Sequence, residues 1–581
     1  MLRSLIFIAL CIFYNSGISQ PKAISAVRAS QVPRIDGNLN DAAWQQAPVI
    51  SDFIQNFPNY GAPASAKTEV RILYDDEAVY IAAYLHDDPS LIRKQITSRD
   101  GEQRQDVDFF SVFFDTYNDQ QNGFQFLVTP ANVQSDAKLS PNANASFQEF
   151  GDKTWDAVWQ SQTQMQSDGW TVEMKIPYIS LRFAKKEVQT WGLQFLRYMR
   201  RSNENDYWNP VDPNINGFIN QFGKYTDLKN IEPPLRLSFS PYLSGGIRFN
   251  PADSRIDKQW LRNGGMDVKY GINESFTLDA TLIPDFGQVV SDNIINNLSA
   301  FEIRFQENRP FFTEGTELFN KAGLFYSRRI GATPSGYYGV ESFVDNNNNY
   351  ELVKNPSVVQ LYNGIKFSGR TKKKLGIGVF NALTAPMEAR LRNVNTKQDT
   401  IIRTEPFANY NIIVLDQGLK GRSSITFTNT NVVRQGEDRD ANVSAFDWSL
   451  FTKDNQFAFR GTARYSKIFG YTPFFGGINL VYDTITRNGL LVVKPYDGFN
   501  TAAEIGKVSG KVQYGVRADI MSNTFDPTDL GFLQFANRVN YNGNISYNQS
   551  VLRWLRHALF LRHPGLCSFS CRRLARQQRR R

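Results

Sequence analysis

Residues 457–466 read FAFRGTARYS, and along this stretch apolar and polar side chains alternate with a period of two. Successive side chains of a β-strand point to opposite faces, so Phe459 and Tyr465 share one face while Arg464 lies on the other. A face this charged is too hydrated for the core of a sandwich, whereas a membrane barrel with a water-filled lumen accepts both faces. The stretch therefore predicts a transmembrane β-strand.

The same alternation recurs in residues 235–249, 507–517 and 538–547. Such runs of about nine to twelve residues have the length of a tilted membrane strand. Short turns predicted at 370–374 and 416–418, and longer polar loops at 345–350 and 390–404, would join the strands. After Pro233-Pro234, residues 231–552 are thus predicted to form an antiparallel transmembrane β-barrel. A soluble all-β protein with one-sided sheets is the alternative.

The first 19 residues have the features of a signal peptide. Arg3 precedes an apolar run at 5–14, and Gly17-Ile18-Ser19 supplies small residues before a cleavage site. The run is too short to cross a bilayer, and a buried core helix is the other interpretation. We therefore expect export through the Sec pathway and a final location in the outer membrane.

The composition excludes several classes of function. The net charge is +9, but residues 553–581 contain nine arginines and no acid, so with Arg3 they leave about −1 for residues 20–552. Nucleic-acid binding is therefore not expected. The cysteines are Cys11, Cys567 and Cys571, and His86 is the one histidine before residue 557, which excludes thiolate metal sites from the body of the chain.

The C-terminal tail, residues 553–581, differs abruptly from the strand pattern that precedes it. We interpret this Arg-rich tail as a frameshifted, non-native end, which would leave the predicted barrel truncated. A basic segment that binds a membrane or RNA is the alternative.

Residues 22–230 are predicted to form a β-sandwich, because short alternating runs such as 70–74, 79–84 and 123–128 are separated by turn signals. Four stretches of this domain resemble family 9 carbohydrate-binding modules: IDGNLNDAAW (35–44), DVDFFSVFFDT (106–116), DGWTVEMKIPYISLRF (168–183) and WGLQFLRY (191–198). The resemblance implies a jelly-roll-like sandwich, often with bound calcium, that takes the end of a sugar chain between aromatic rings.

Sugar rings stack on exposed aromatic faces, and neighbouring polar groups fix their hydroxyls. The candidates for carbohydrate binding are Trp155, Trp159, Tyr207, Trp208 and Arg197. A role in the core is the alternative for these rings, and it is the one we predict for Trp44, Trp170 and Trp191.

Calcium takes several hard oxygen ligands. Asp106, Asp108 and Asp115 lie near the ends of a predicted strand and are the candidate ligands for a structural calcium ion. Solvated acids in turns are the alternative. A glycosidase would need two carboxylates at a set distance, which sequence spacing cannot supply, so no catalytic residue is predicted.

The segment 284–315 interrupts the strand pattern with acids, an arginine and aromatic residues. An enzyme would use Glu302, Glu307 or Glu314 as acid or base. We favour a structural interpretation, a loop packed inside the barrel with Arg309 paired to a carboxylate. This region, with PDFGQ (284–288) and ENRPFF (307–312), resembles the family of unknown function DUF5916 over about 235–550. The resemblance implies an outer-membrane barrel and names no catalytic residue.

Together these patterns predict an all-β outer-membrane protein that binds a glycan through its N-terminal module and helps to capture or pass it. Its expected partners are a glycan or polysaccharide and outer-membrane lipid. One alternative is an O-glycosyl hydrolase acting on polysaccharide, with the module as its targeting arm. Another is a structural or secretion-associated barrel that binds no sugar.

Overall fold

The computed structural model describes residues 20–102, 105–139, 151–153, 155–234, 236–249, 258–273, 275–284, 295–299, 301–305, 307, 309–313, 317–371, 373–436, 439–470, 472–473, 484–487, 490–548 and 567–573. Strands make up 51% and helices 6% of the structure, so the all-β prediction is confirmed. The predicted signal peptide, Glu314, residues 285–288 and most of the tail lie outside the described residues.

The N-terminal domain contains twelve strands among the described residues. They are β1 (Ala23–Ser25), β2 (Ile54–Phe57), β3 (Thr68–Tyr74), β4 (Ala78–His86), β5 (Phe109–Asp115), β6 (Gly123–Val128), β7 (Gln134–Leu139), β8 (Gln160–Gln166), β9 (Gly169–Pro177), β10 (Val188–Met199), β11 (Glu204–Tyr207) and β12 (Gly223–Lys229). One sheet has the order β1-β12-β10-β5-β6-β7, with β11 also paired to β10 and β2 paired to β11, and the other has the order β3-β4-β9-β8.

The two sheets pack face to face as the predicted sandwich. Their shared core takes alternate residues of both sheets, among them Val112 and Phe126 from one and Ile81 and Val172 from the other. Trp170 and Trp191 are at most 1% exposed within this core, and Trp44 is 0% exposed under the N-terminal segment. The core role predicted for these three tryptophans is confirmed.

The C-terminal region contains nineteen strands among the described residues. They are β13 (Leu237–Phe249), β14 (Lys258–Gly271), β15 (Phe276–Leu282), β16 (Tyr350–Lys354), β17 (Leu361–Arg370), β18 (Leu375–Thr384), β19 (Met387–Asn393), β20 (Asp399–Glu405), β21 (Ala408–Gly418), β22 (Ser424–Arg434), β23 (Asp440–Phe451), β24 (Phe457–Phe469), β25 (Thr472–Pro473), β26 (Thr484–Arg487), β27 (Leu490–Val493), β28 (Tyr496–Lys507), β29 (Val512–Met521), β30 (Arg538–Tyr547) and β31 (Cys567–Arg573).

Thirteen of these strands form one antiparallel sheet, in the order β13-β14-β15-β17-β18-β21-β22-β23-β24-β28-β29-β30-β31. Every neighbouring pair is antiparallel, as in β23 and β24, where Phe446 faces Ala463. Within the described part of the chain, β13 and β31 do not pair with each other. Residues 567–573, which belong to the tail expected to depart from the strand pattern, form the last strand of this sheet.

Two connections differ from those expected. Asp416–Gly418 was predicted as a turn but ends β21, because its residues complete the ladder with β22, and the turn is 419–423. Residues 390–404, expected as a loop, lie largely in the hairpin of β19 and β20, which forms a small sheet with β16. The turn predicted at 370–374 is confirmed at 371–374.

The two faces of the large sheet differ in chemistry. One face, the outer face, carries exposed apolar side chains: Ile365, Val379, Ile413, Leu415, Phe427, Phe446, Phe459, Tyr465, Phe499, Ile505 and Val516. The opposite, inner face carries buried polar side chains alongside apolar ones: Thr281, Lys366, Ser368, Asp416, Thr426, Thr428, Thr430, Ser466 and Asn500. In β21 the alternation is direct, since Val414 and Asp416 are buried while Leu415 between them is exposed.

The inner face is covered by a segment that we call the inner segment, which the structure describes over residues 309–313 and 317–330. Phe312, Phe319 and Phe325 from this segment pack around Phe380 and Val414 of the sheet. Arg309 is 5% exposed and donates to both carboxylate oxygens of Glu307, with Nη2–Oε2 at 2.7 Å. The predicted pairing of Arg309 with a carboxylate inside the strand region is therefore confirmed.

Helices are few. They are α1 (Pro310–Thr313), α2 (Tyr337–Asp345) and four 3₁₀ turns at Ala42–Gln46, Tyr178–Ser180, Ile219–Gln221 and Ser327–Arg329. Within the described part of the chain, no helix combines the length and the apolar character that crossing a membrane requires.

Candidate functional site

The candidate site lies where the free edges of the two sandwich sheets approach each other. Strand β7 ends one sheet and β8 ends the other, and the segment before β8 crosses between them. We call this site the Trp155 corner and define it by Arg99, Gln134, Asp136, Trp155 and Asp156. It brings an aromatic ring together with a cation, an amide and two acids.

Arg99 holds the corner together because its guanidinium donates in four directions. It donates to the side-chain oxygen of Gln134 at 2.8 Å and to the backbone carbonyl of Ala157 at 3.0 Å. It also forms ion pairs with Asp136 and with Asp156, the latter at 3.0 Å. Since the Arg99 side chain is 38% exposed, part of this fork is available to a ligand.

Asp136 is the buried side of the corner. Its side chain is 0% exposed, and it accepts the backbone N–H of Ala157 at 2.9 Å and the indole N–H of Trp159 at 3.0 Å. Burial raises the pKa of Asp136 to about 6, despite the hydrogen bond from Trp159 and the charge of Arg99. These contacts fix the segment 155–159, so Asp136 positions the corner from within.

Trp155 provides the aromatic surface. Its ring packs against Phe124 and Phe126 at centroid distances of 5.1 and 5.9 Å, and the residue remains partly accessible. Asp156 beside it is 73% exposed at its side chain. A partly accessible indole next to guanidinium, carboxylate and amide groups can stack on a sugar ring and hydrogen-bond its hydroxyls.

The structure places the other predicted carbohydrate ligands in the interior. Trp159 is 6% exposed behind Trp155, and Trp208 and Tyr207 are 5% and 0% exposed at β11. Arg197 is 1% exposed and ties the two sheets together through the carbonyls of Lys67 and His86. These four side chains present no free surface to a sugar in this conformation, because each is at most 6% exposed. Their role in binding stays a prediction without support from this geometry.

The three predicted calcium ligands do not converge. Asp108 and Asp115 lie at opposite ends of β5, roughly 23 Å apart at 3.3 Å per residue. The carboxylate of Asp108 accepts the backbone N–H groups of Arg93 and Arg200, and that of Asp115 accepts those of Asp119 and Gln120. Asp106 is 59% exposed and lies 3.9 Å from Arg93.

No cluster of three or more histidine, cysteine or acidic side chains suited to a metal occurs in the described ranges. The acids therefore do not fit one calcium ion, and bound calcium stays a prediction without a ligand set. Burial, together with the charge of Asp119, raises the pKa of Asp115. Its carboxylate holds the loop after β5 by accepting the backbone N–H groups of Asp119 and Gln120.

Comparison with known proteins assigns both regions. Residues 35–224 match the model of the family described as carbohydrate family 9 binding domain-like, and residues 233–561 match that of the domain of unknown function DUF5916. The chain belongs to the DUF5916 family. The DUF5916 match begins a few residues before β13 and includes the inner segment, and its description names no activity.

Two solved structures are similar to the N-terminal part of this DUF5916 protein. Both are of a family 9 carbohydrate-binding module from Caldicellulosiruptor kristjanssonii, one in complex with cellotriose and one with glucose, at 17% identity and a TM-score of 0.26. Each covers 35% of this chain, and the chain covers 93% and 95% of theirs. No curated protein matches the chain in sequence.

Sequence reasoning missed most of the corner in this DUF5916 protein. Trp155 and Trp159 were singled out as a pair, but Arg99, Gln134 and Asp136 come from two other segments and were not considered as one group. Their signal was weak, because a strand edge and a loop seldom reveal in sequence which residues meet. The hydrogen bonds of Arg99 supply that information.

Proposed function

We propose that this protein is an outer-membrane protein whose N-terminal module binds carbohydrate at the Trp155 corner and whose strand region crosses the membrane as a β-barrel around the inner segment. On this proposal it reaches the outer membrane through the Sec pathway and helps to capture or pass a glycan. Its partners are the glycan and the surrounding lipid.

One observation carries the membrane part of the proposal: one face of the large sheet exposes apolar side chains, and the other face buries polar side chains alongside apolar ones. Exposed apolar residues recur across consecutive strands, as at Val379, Ile413, Phe427 and Phe446. A soluble protein seldom exposes so extensive an apolar surface, whereas hydrocarbon outside a barrel makes this the favourable arrangement. Crossing lipid also requires that backbone N–H and C=O groups be paired, and the ladders provide this for every strand of the sheet between the two end strands β13 and β31.

The carbohydrate part rests on the match to the family 9 model and on the chemistry of the corner. Trp155 supplies an apolar ring face, and Arg99 and Asp156 supply a donor and an acceptor at its side. Because the family name describes carbohydrate binding and the corner has suitable groups, a short glucan is the first ligand to test.

The hydrolase alternative has less support from the same site. Asp136 and Asp156 both contact one nitrogen of Arg99, which brings two carboxylates close, and the pKa of Asp136 is raised to about 6. A general acid must reach the glycosidic oxygen, however, and the Asp136 side chain is 0% exposed with its oxygens engaged. Glu302 and Glu307 are likewise engaged, by Arg329 and Arg309.

The test of membrane insertion is the behaviour of the full chain in bacteria. We expect it in the outer-membrane fraction, resistant to carbonate washing, with an electrophoretic mobility in detergent that changes on heating. Recovery as a soluble protein in the absence of detergent would rule out the barrel.

The test of sugar binding is titration of the detergent-purified full chain with cellotriose and glucose. We expect saturable binding that Trp155→Ala weakens at least tenfold, because the stacking surface is removed. Tyr84→Ala is the matched control, since Tyr84 is a partly accessible ring on β4 whose centroid lies 4.1 Å from that of the tilted His86 ring, and it lies outside the corner. Equal losses in both variants would exclude the corner as the site, and absence of binding to a wider glycan panel would favour a barrel without sugar binding.

A further inference from the structure

The connections of the thirteen-stranded sheet are mostly short at one end and mostly long at the other. At one end, which we call the short-turn end, five of the six connections have only four or five residues, namely 272–275, 371–374, 419–423, 452–456 and 508–511, and the sixth, 548–566, is longer. At the opposite end the connections are residues 250–257, 283–360, 385–407, 435–439, 470–495 and 522–537, of which only 435–439 is as short as the turns. Bacterial outer-membrane barrels have short turns on the periplasmic side and longer loops outside the cell.

The N-terminal module contacts the short-turn end. Arg422 in the turn 419–423 is 5% exposed and donates to the backbone carbonyl of Asn216 in the module at 2.6 Å. The turn 508–511 adds two contacts, because Gly510 N–H donates to the carbonyl of Asn214 at 2.7 Å and the Ser509 hydroxyl accepts the N–H of Asn216 at 3.1 Å.

A second module loop and one module strand extend the same contact. The Gln121 amide donates to the carbonyl of Gly421 at 3.3 Å. Lys138 on β7 forms an ion pair with Glu317 of the inner segment at 2.8 Å, so the module also contacts the segment that covers the inner face. The chain itself enters the sheet at this end, since Leu237 at the start of β13 pairs with Tyr270 at the end of β14.

The geometry points to a periplasmic module: we infer that the carbohydrate-binding domain is fixed to the periplasmic mouth of the barrel, so that it meets glycans on the inner side of the outer membrane. This inference rests on the proposed membrane insertion and adds the side on which recognition occurs. The short turns identify the periplasmic side, and the entry of the chain and the contacts of the module place the module at that end. The long connections at the opposite end, such as 283–360 and 385–407, then face the cell exterior.

Single cysteines test the orientation in intact cells. In a Cys567→Ser, Cys571→Ser background, Val32→Cys reports on the module, where Val32 is 63% exposed, and Asn395→Cys reports on the exposed tip of the β19–β20 hairpin. The probe is a membrane-impermeant maleimide, applied before and after permeabilisation of the outer membrane. We expect Asn395→Cys to be labelled in intact cells and Val32→Cys only after permeabilisation.

Labelling of Val32→Cys in intact cells, or of Asn395→Cys only after permeabilisation, would overturn the inferred side. Both results presuppose that the protein is recovered in the outer-membrane fraction, which is measured on the same cells. Loss from that fraction would instead contradict the proposed membrane insertion, so the two failures are distinguishable.

Discussion

At the scale of single residues, Asp206 is an acid of the N-terminal domain whose pKa depends strongly on its surroundings. It lies on β11 at 0% exposure, and burial, followed by the charge of Glu204, raises the pKa of Asp206 to about 8. An aspartate in an unfolded chain titrates near a pKa of about 3.9. Between these values the folded protein retains a proton that the unfolded chain releases.

We therefore expect the free energy of unfolding to fall as the pH rises from about 4 to about 8, by about 1.4 kcal/mol per unit from this group. The contribution is fully present below the unfolded pKa and is lost once the pH passes the folded pKa. Asp206→Asn should remove this contribution to the pH dependence of unfolding. The free energy of unfolding of the variant, relative to that of the parent, should therefore be higher at pH 8 than at pH 5. Denaturant unfolding of the full chain, followed by tryptophan fluorescence, measures it, because six of the nine tryptophans lie in this domain.

Asp76→Asn is the control for this measurement, since the Asp76 side chain is 77% exposed. It reports the effect of the same Asp-to-Asn change at an exposed position. Parallel stability curves for the parent and Asp206→Asn would show that the acid does not titrate as inferred.

Residue roles were only partly predictable from the sequence. Trp170 and Trp191 lie in regular alternating strands, where the pattern itself indicates the buried face. Trp159 and Trp208 stand next to irregular segments, where no period exists to assign a face, and the structure buries both. The contacts of Arg197 with Lys67 and His86 depend on the approach of the second sheet, which local sequence does not encode.

At the scale of elements, the period-two alternation predicted the strands well. The expected segments 235–249 and 538–547 correspond to β13 (Leu237–Phe249) and β30 (Arg538–Tyr547). The ends of strands were less predictable, because Asp416 and Gln417 have turn-like composition but complete a ladder with β22. Hydrogen bonding to a neighbouring strand outweighed the local preference of these residues.

The exposed face of these strands provides a test that separates a membrane protein from a soluble one. Ile413 is 46% exposed on β21, so in water Ile413→Arg would change stability by no more than about 0.5 kcal/mol. In lipid the same change should destabilise the barrel by about 2–4 kcal/mol. We expect a reduced folded fraction in the outer membrane, measured as the heat-modifiable band.

Val32→Arg is the matched substitution at an exposed position of the module, where Val32 is 63% exposed. Val32→Arg should assemble like the parent whether the outer face of the sheet contacts lipid or water. If Ile413→Arg assembles as well as Val32→Arg, the outer face does not contact lipid.

At the scale of the whole molecule, the relation between the two domains could not be predicted. Both families were identifiable from motifs, but the contact of Asn216 with Arg422 joins residues some 200 positions apart, and neither has a distinctive local pattern. The covering of the inner face was predicted only as a packed loop with a paired arginine. The packing of the aromatic rings of the inner segment against Phe380 could not be predicted from the sequence and is known from the structure.

We expect Arg422→Ala to loosen the module from the sheet, because the side chain donates to Asn216 from a nearly buried position. Limited proteolysis of the purified full chain should then cleave the connection 230–236 several-fold faster than in the parent. Lys420→Ala, an exposed change in the same turn, should cleave at the parental rate. Equal rates for all three proteins would mean that this contact does not hold the module.

The short connection between β12, which ends at Lys229, and β13, which begins at Leu237, has a consequence for how ligand is found. Seven residues reach at most about 25 Å when fully extended, and the contacts at Asn216 remove most of that freedom. A binder on a long flexible tether searches a large volume and meets scarce targets by its own movement. The module of this protein is held in place, so the frequency of encounters is set by how fast the sugar diffuses to it.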